Sequence, residues 1–213
     1  IEQIVIVIYG DERKIMGLAA IQTSNTWSYA PFYTAAFSNV TMGAVIPTDI
    51  FMINNPTILG SSTATILEVH KIIISGTAIA AQQPAIDFTL FRRDVTLSVT
   101  ALDNTANLVK HDTRSPTSVC VSGTDIGMWS ATACAVGAAT PGKIGSVRAC
   151  LPLLATQAPW SFTWDFNNNI PPITLRPTPT GKSSLCINTF NMVATTLSTF
   201  SLQVTWCERS GVY

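Results

Sequence analysis

Hydrophobic and polar residues alternate with a period of two in three segments of the chain. In residues 94–101 the odd positions are apolar and the even positions are polar, and 160–166 and 199–207 alternate in the same way. Successive side chains of a β-strand point to opposite faces, so each segment predicts a strand with one face in a core. Less regular apolar runs predict six further strands, at 49–53, 64–74, 87–91, 118–121, 173–176 and 184–190.

The first nine residues depart from this alternation. Residues 4–8 are all β-branched and apolar, which favours an extended strand that is hydrophobic on both faces. Such a strand needs cover on both sides, either from a second copy of the chain or from the middle of its own sheet. We predict an N-terminal arm at 1–28, followed by a β-sandwich domain at 29–213. The assembly interface that this predicts consists of Ile4, Val5, Ile6, Val7, Ile8 and Tyr9.

Turn-forming residues separate the predicted strands. Asn-Asn-Pro, Pro-Gly and Asn-Asn-Asn sequences occur between apolar runs, at the spacing of a sandwich. The sequence predicts no long helix, and no stretch has the roughly 20 mainly apolar residues that span a bilayer. The predicted fold class is therefore all-β, an antiparallel β-sandwich of jelly-roll type with an extended N-terminal β arm.

The low charge content of the chain indicates which partner it binds. Only 11% of the 213 residues are charged, and 12 Lys and Arg balance 12 Asp and Glu. A neutral, charge-poor surface has no footprint for nucleic acid, and a net charge near zero favours association. The predicted partner is the chain itself, with neither nucleic acid nor membrane insertion.

The five cysteines leave two alternatives open. Cys120, Cys134, Cys150, Cys186 and Cys207 form no C-x-x-C pair, so neither structural zinc nor thioredoxin-like chemistry is expected. They form disulfides, in an order that the sequence does not specify, or they are buried free thiols. In an odd set, one stays unpaired unless it bridges subunits.

Catalytic chemistry has few candidates here. Of the two histidines, His70 shares a strand face with Glu68 and His111 lies in a predicted loop. No hydrolase, phosphate-binding or dinucleotide motif occurs. We therefore predict that the chain is not an enzyme and has no catalytic residue, no cofactor and no metal.

Aromatic residues raise a second functional hypothesis. Trp27, Tyr29 and Tyr33 lie in a region rich in Ser and Thr that has no charge. Displayed on a surface, such rings stack on sugars, whereas the alternative is that they pack against the sandwich. The first case predicts a carbohydrate- or receptor-binding module on a virion or cell surface.

The strand rhythm of residues 50–208 resembles the shell domain of viral jelly-roll coat proteins. The segments that carry the resemblance are 94–101, 160–166 and the closing strand at 200–206. One difference is the start of the chain, where the family's basic genome-binding arm is replaced by a balanced, apolar segment. The resemblance implies a structural subunit, virion-associated or extracellular, that self-assembles into a shell or filament. We expect its N-terminal strand to augment a neighbour's sheet.

Overall fold

A computed structural model describes ten ranges of the chain: 30–42, 48–78, 85–93, 107–121, 123–128, 142–150, 159–166, 171–181, 183–190 and 198–210. The predicted arm at 1–28 and the predicted strand at 94–101 lie outside these residues. Within the ranges, every regular element is a strand, and no helix has the length and apolarity to cross a membrane.

Eleven strands are described. In chain order they are β1 (Phe32–Met42), β2 (Thr48–Asn55), β3 (Thr65–Ala78), β4 (Ala85–Arg93), β5 (Asn107–Lys110), β6 (Ile126–Met128), β7 (Gly142–Cys150), β8 (Pro159–Asp165), β9 (Ile173–Leu175), β10 (Ser183–Phe190) and β11 (Ser198–Ser210). They form two antiparallel sheets. The first has the order β5-β1-β11-β3-β8, with β9 also pairing with β3, and the second has the order β6-β2-β10-β4-β7.

The core lies between the two sheets. Ile72 of the first sheet and Phe88 of the second are both fully buried in it. The rings of Phe37 and Phe51, one from each sheet, meet edge to face with their centroids 6.1 Å apart. These contacts confirm the predicted antiparallel β-sandwich.

Strand pairing is nested along the chain. β1 pairs with β11, β2 with β10, β3 with β8 and β4 with β7. β1 and β3 belong to the first sheet, and β2 and β4 belong to the second. The order is that of one long antiparallel hairpin folded over so that its successive strand pairs fall in alternate sheets.

Most strand predictions within the described ranges are confirmed. β8 and β11 correspond to the alternating segments at 160–166 and 199–207, and β2, β3, β4, β9 and β10 to five of the less regular runs. The strand predicted at 118–121 is wrong. This segment is a loop because the Val119 N–H and the Ser118 hydroxyl donate to the buried carboxylate of Glu208. β1, β5, β6 and β7 were not predicted.

Candidate functional site

Tyr33 is the one predicted glycan-stacking residue within the described part of the chain. It lies on the inner face of β1 and is fully buried. Its hydroxyl donates to the Pro116 carbonyl at 3.0 Å, and its ring stacks on Trp206 with centroids 5.7 Å apart. An enclosed ring turns no face to solvent, so Tyr33 acts as a core residue. Trp27, Tyr29 and the predicted interface at 4–9 lie outside the described residues.

A β-bulge in β3 creates the most polar site on the first sheet. Val69 is paired with Trp206, and Lys71 is paired with Thr205, so His70 is an extra residue with no counterpart in β11. The bulge shifts the alternation of β3, whose buried residues are odd-numbered up to Val69 and even-numbered from Ile72. His70 lies on the outer face of the sheet with Glu68, and the bulge reverses the alternation of the residues that follow it.

Three potential ligand side chains meet beside this bulge. We call Glu68, His70 and Cys207 the sheet-face cluster. Glu68 is paired directly with Cys207 of β11, and the thiol donates to its carboxylate with Sγ 3.4 Å from Oε2. His70 Nε2 lies 3.4 Å from the same sulfur and 3.9 Å from Glu68 Oε2. A thiol, an imidazole and a carboxylate therefore converge on one point.

The electrostatics of the sheet-face cluster follow from its burial. Cys207 is fully enclosed, whereas the side chains of Glu68 and His70 are 16% and 15% exposed. Burial, and then the hydrogen bond to Glu68, raise the pKa of Cys207 to about 11. The sulfur is therefore a protonated thiol at neutral pH. Arg209, whose side chain is 59% exposed, places Nε 2.9 Å from Glu68 Oε2.

Phe32 brings both histidines into one neighbourhood. Its ring lies 5.1 Å from the ring of His70 and 6.1 Å from the ring of His111, measured between centroids. His111 Nε2 is also 2.6 Å from the hydroxyl oxygen of Thr34. The sequence did not indicate that the two histidines are neighbours, because they are distant along the chain. Both contact Phe32 of β1 only in the folded structure.

Among the described strands, β8 and β7 are the edge strands at one end of the two sheets, and β5 and β6 are the edge strands at the other end. We call the outer edges of β7 and β8 the open flank, since no strand in the described ranges pairs with them. β8 carries three half-buried aromatic residues that pack against the core, Trp160, Phe162 and Trp164. Trp160 meets Phe88 of the second sheet with ring centroids 5.3 Å apart. Within the described ranges, the flank thus combines strand edges that join no further strand with apolar surface.

The described cysteine side chains favour one of the two predicted alternatives. Cys120, Cys186 and Cys207 are buried free thiols. Burial raises the pKa of the Cys120 thiol well above its usual value, with a further contribution from the Glu208 charge. The side chains of Cys134 and Cys150 lie outside the described part.

Comparison with known proteins adds no further constraint. No model of a known protein family matches the chain, and no curated protein matches it.

The sequence held no clear signal for the bulge, because apolar residues occupy both phases of β3 at Ile66 and Leu67 and again at 72–74. The change of phase between Val69 and Ile72 is visible only in the burial of the folded strand. The approach of Cys207 had no signal either, because it depends on pairing with a residue 139 positions away from Glu68.

Proposed function

We propose that this protein is a structural subunit that self-assembles into a virion shell or an extracellular filament. Its sandwich is a jelly roll, and its N-terminal strand extends the sheet of a neighbouring subunit. The observation that carries the proposal is the open flank. There, two strands pair with no further strand of the described ranges and lie beside apolar aromatic side chains, and these are the two features that an added strand requires.

The nested strand order supports the jelly-roll assignment. A jelly roll is two sheets wound from a folded-over hairpin, with eight strands and two Greek keys. The four nested pairs, from β1 with β11 to β4 with β7, supply eight strands in that arrangement. Viral capsid domains are one class of protein with this fold, although a fold by itself does not establish a function.

The predicted donor strand matches the open flank in length and character. β7 has nine residues, and so does segment 1–9, which is apolar from Ile4 to Tyr9. A segment of this length spans about 30 Å at roughly 3.3 Å per residue. Its side chains are apolar on both faces, so each face would pack against apolar residues of the neighbouring sandwich. Trp160 and Phe162 supply such apolar surface on β8.

The expected gain is large enough for a stable joint. Burying about 500 Å² of apolar surface at roughly 25 cal/mol per Å² contributes about 12 kcal/mol before the cost of ordering the arm. The surface opposes association little, because the formal net charge is zero.

The test removes residues 1–9 and measures assembly by sedimentation velocity and negative-stain microscopy. We expect a folded monomer, since the described core is formed by residues between Tyr33 and Trp206. Ile6→Pro in the full chain should also weaken assembly, because proline removes a main-chain donor and disrupts a central strand pairing. Ile6→Val is the matched control, since valine keeps the donor and the β propensity.

Two results would contradict the proposal. A truncated chain that still assembles would show that strand exchange is not the joint. A truncated chain that fails to fold would instead place the segment within its own protomer, which is the other interpretation that the sequence allows. Circular dichroism of the truncated chain separates these outcomes.

Glycan or receptor binding is the competing function. It depends on Trp27 and Tyr29, because Tyr33 is enclosed in the core. Binding on a glycan array that is lost in Trp27→Ala, with assembly retained, would favour this alternative.

A further inference from the structure

We propose that the sheet-face cluster is a binding site for Zn²⁺, with Cys207 Sγ, His70 Nε2 and a carboxylate oxygen of Glu68 as ligands. These three side chains are the types that zinc uses in proteins. They come from two adjacent strands, and their ligand atoms lie within 4.8 Å of one another.

The distances between the ligand atoms suit a tetrahedral ion. Zinc bonds of about 2.0–2.3 Å at tetrahedral angles place neighbouring ligand atoms about 3.4–3.6 Å apart. The sulfur lies 3.4 Å from both the imidazole nitrogen and the carboxylate oxygen, and the remaining separation is 3.9 Å. A shift of a few tenths of an ångström in one side chain would complete this geometry. Three protein ligands leave the fourth position to water.

The backbone positions the ligands before any ion binds. Glu68 and Cys207 are direct partners in the β3–β11 ladder, and the bulge places His70 beside them on the same face. β3 and β11 are interior strands of the first sheet, each paired on both sides. The main chain of the two strands therefore needs little reorganisation to bind an ion, and little of the binding free energy is lost in ordering the ligands.

Charge both favours and opposes the ion. The Glu68 carboxylate and the Cys207 thiolate, formed when the thiol releases its proton to solvent as the S–Zn bond forms, together neutralise the dication. Arg209 competes because its guanidinium holds Glu68 Oε2 at 2.9 Å. The Arg209 side chain is mostly exposed and can turn into solvent, and the partial exposure of Glu68 and His70 gives an ion access to the site.

The test titrates the full chain with Co²⁺, which replaces zinc and reports a bound thiolate through its charge-transfer absorption. We expect one equivalent to bind and Zn²⁺ to displace it. Cys207→Ser should abolish the charge-transfer band, and His70→Gln should lower the affinity at least tenfold, by analogy with the loss of supporting residues at known sites. Arg209→Gln should raise the affinity, since it removes the competing cation.

His111→Gln and Cys186→Ser are the matched controls. His111 shares the Phe32 neighbourhood, but its Nε2 contacts the Thr34 hydroxyl and is not one of the three grouped ligand atoms. Cys186 is a buried free thiol of β10 in the other sheet. Both variants should bind Co²⁺ like the wild type. Zn²⁺ should also raise the thermal unfolding midpoint of the wild type but not of His70→Gln, because an ion that binds only the folded state stabilises it.

The proposal is overturned if the folded wild type gives no charge-transfer band, or if Cys207→Ser keeps the band unchanged. If Cys207→Ser does not fold, Glu68→Gln and His70→Gln decide the question, and unchanged affinity in both also overturns it. The assembly tests above do not depend on this outcome.

Discussion

Buried polar side chains determine the loop conformations at one end of the sandwich. The Asn55 amide donates to the carbonyls of Thr65 and Leu175 at 2.8 Å, and its oxygen accepts from the N–H and hydroxyl of Thr57. The Glu208 carboxylate of β11 accepts a hydrogen bond from the indole N–H of Trp206. It also accepts one from the Val119 N–H, and this bond holds the 118–121 loop. Each group would cost about 1–3 kcal/mol if left buried without a partner, so these residues specify the loops.

Tyr33 gives a residue-level prediction about alkaline stability. Burial, and secondarily the charges of Glu208 and Cys120, raise the pKa of Tyr33 from 10.0 to about 12. The folded state therefore binds the phenolic proton more tightly than the unfolded chain. The resulting stability is fully present below the unfolded pKa and is lost as pH rises through the folded pKa, for a total of about 3 kcal/mol. Urea unfolding between about pH 8 and pH 12 measures this loss.

Tyr33→Phe is the matched variant for that measurement. It loses the hydrogen bond to Pro116, so it should be about 1 kcal/mol less stable than the wild type near neutral pH. Without the phenol it should lose less stability in alkali, and its curve should cross that of the wild type. Parallel curves for the two proteins would show that Tyr33 titrates normally.

At the scale of the element, β3 shows how one extra residue changes a strand's function. Its inward residues switch phase at His70, the change that the bulge requires. β3 also changes its outer partner here, from β9 at Val69 to β8 at Lys71. The Phe166 N–H donates to the His70 carbonyl at 2.9 Å, so the bulge also holds the end of β8. A single residue therefore organises the sheet-face cluster and joins three strands.

Deleting His70 should leave the fold intact. Without it, β3 alternates regularly from Leu67 to Ile74 with the same side chains inward. The main-chain bond from Phe166 and the contacts of the His70 ring with Cys207 and Phe32 are lost. We expect a destabilisation of about 1 kcal/mol in urea unfolding, together with loss of Co²⁺ binding.

Deletion of Ile73 is the control for that experiment. Removing one residue from a regular part of β3 sends the following residues to the wrong face, so Ile74 would leave the core. The loss should be about 3 kcal/mol or more, or the chain should fail to fold. Equal losses in the two variants would contradict the proposed role of the bulge.

The whole molecule depends on contacts between distant parts of the chain. β1 lies between β5 and β11, and the hydroxyls of Thr34 and Thr205 meet 3.1 Å apart although the residues are 171 positions apart. Such pairings close long loops before they gain contacts, which makes the folding of the sandwich slow. The interior strands β11 and β3 should form its most stable part.

Amide hydrogen exchange should show where the subunits join. In the chain lacking residues 1–9, we expect β11 to exchange most slowly. In the assembled full chain, peptides from β7 and β8 should gain protection, because an added strand pairs with the open flank. β5, at the edge of the first sheet away from β8, serves as the internal control. Protection gained on β5 and not on β7 or β8 would contradict the proposed joint.

By itself the sequence determined that the chain is an antiparallel β-sandwich, and it located the regularly alternating strands β8 and β11. Period-two alternation is a local property of the sequence, and it can be recognised wherever a strand has one buried face and one exposed face. It also placed Glu68 and His70 on a common face, and these are two of the three residues of the sheet-face cluster.

Only the tertiary structure decided the nested order of the strands, the bulge at His70 and the meeting of Cys207 with Glu68. It likewise turned Tyr33 from a candidate surface ring into part of the core. The physical reason is that pairing and burial depend on which distant strand becomes a neighbour, and the free energy of that choice is spread over the whole sandwich.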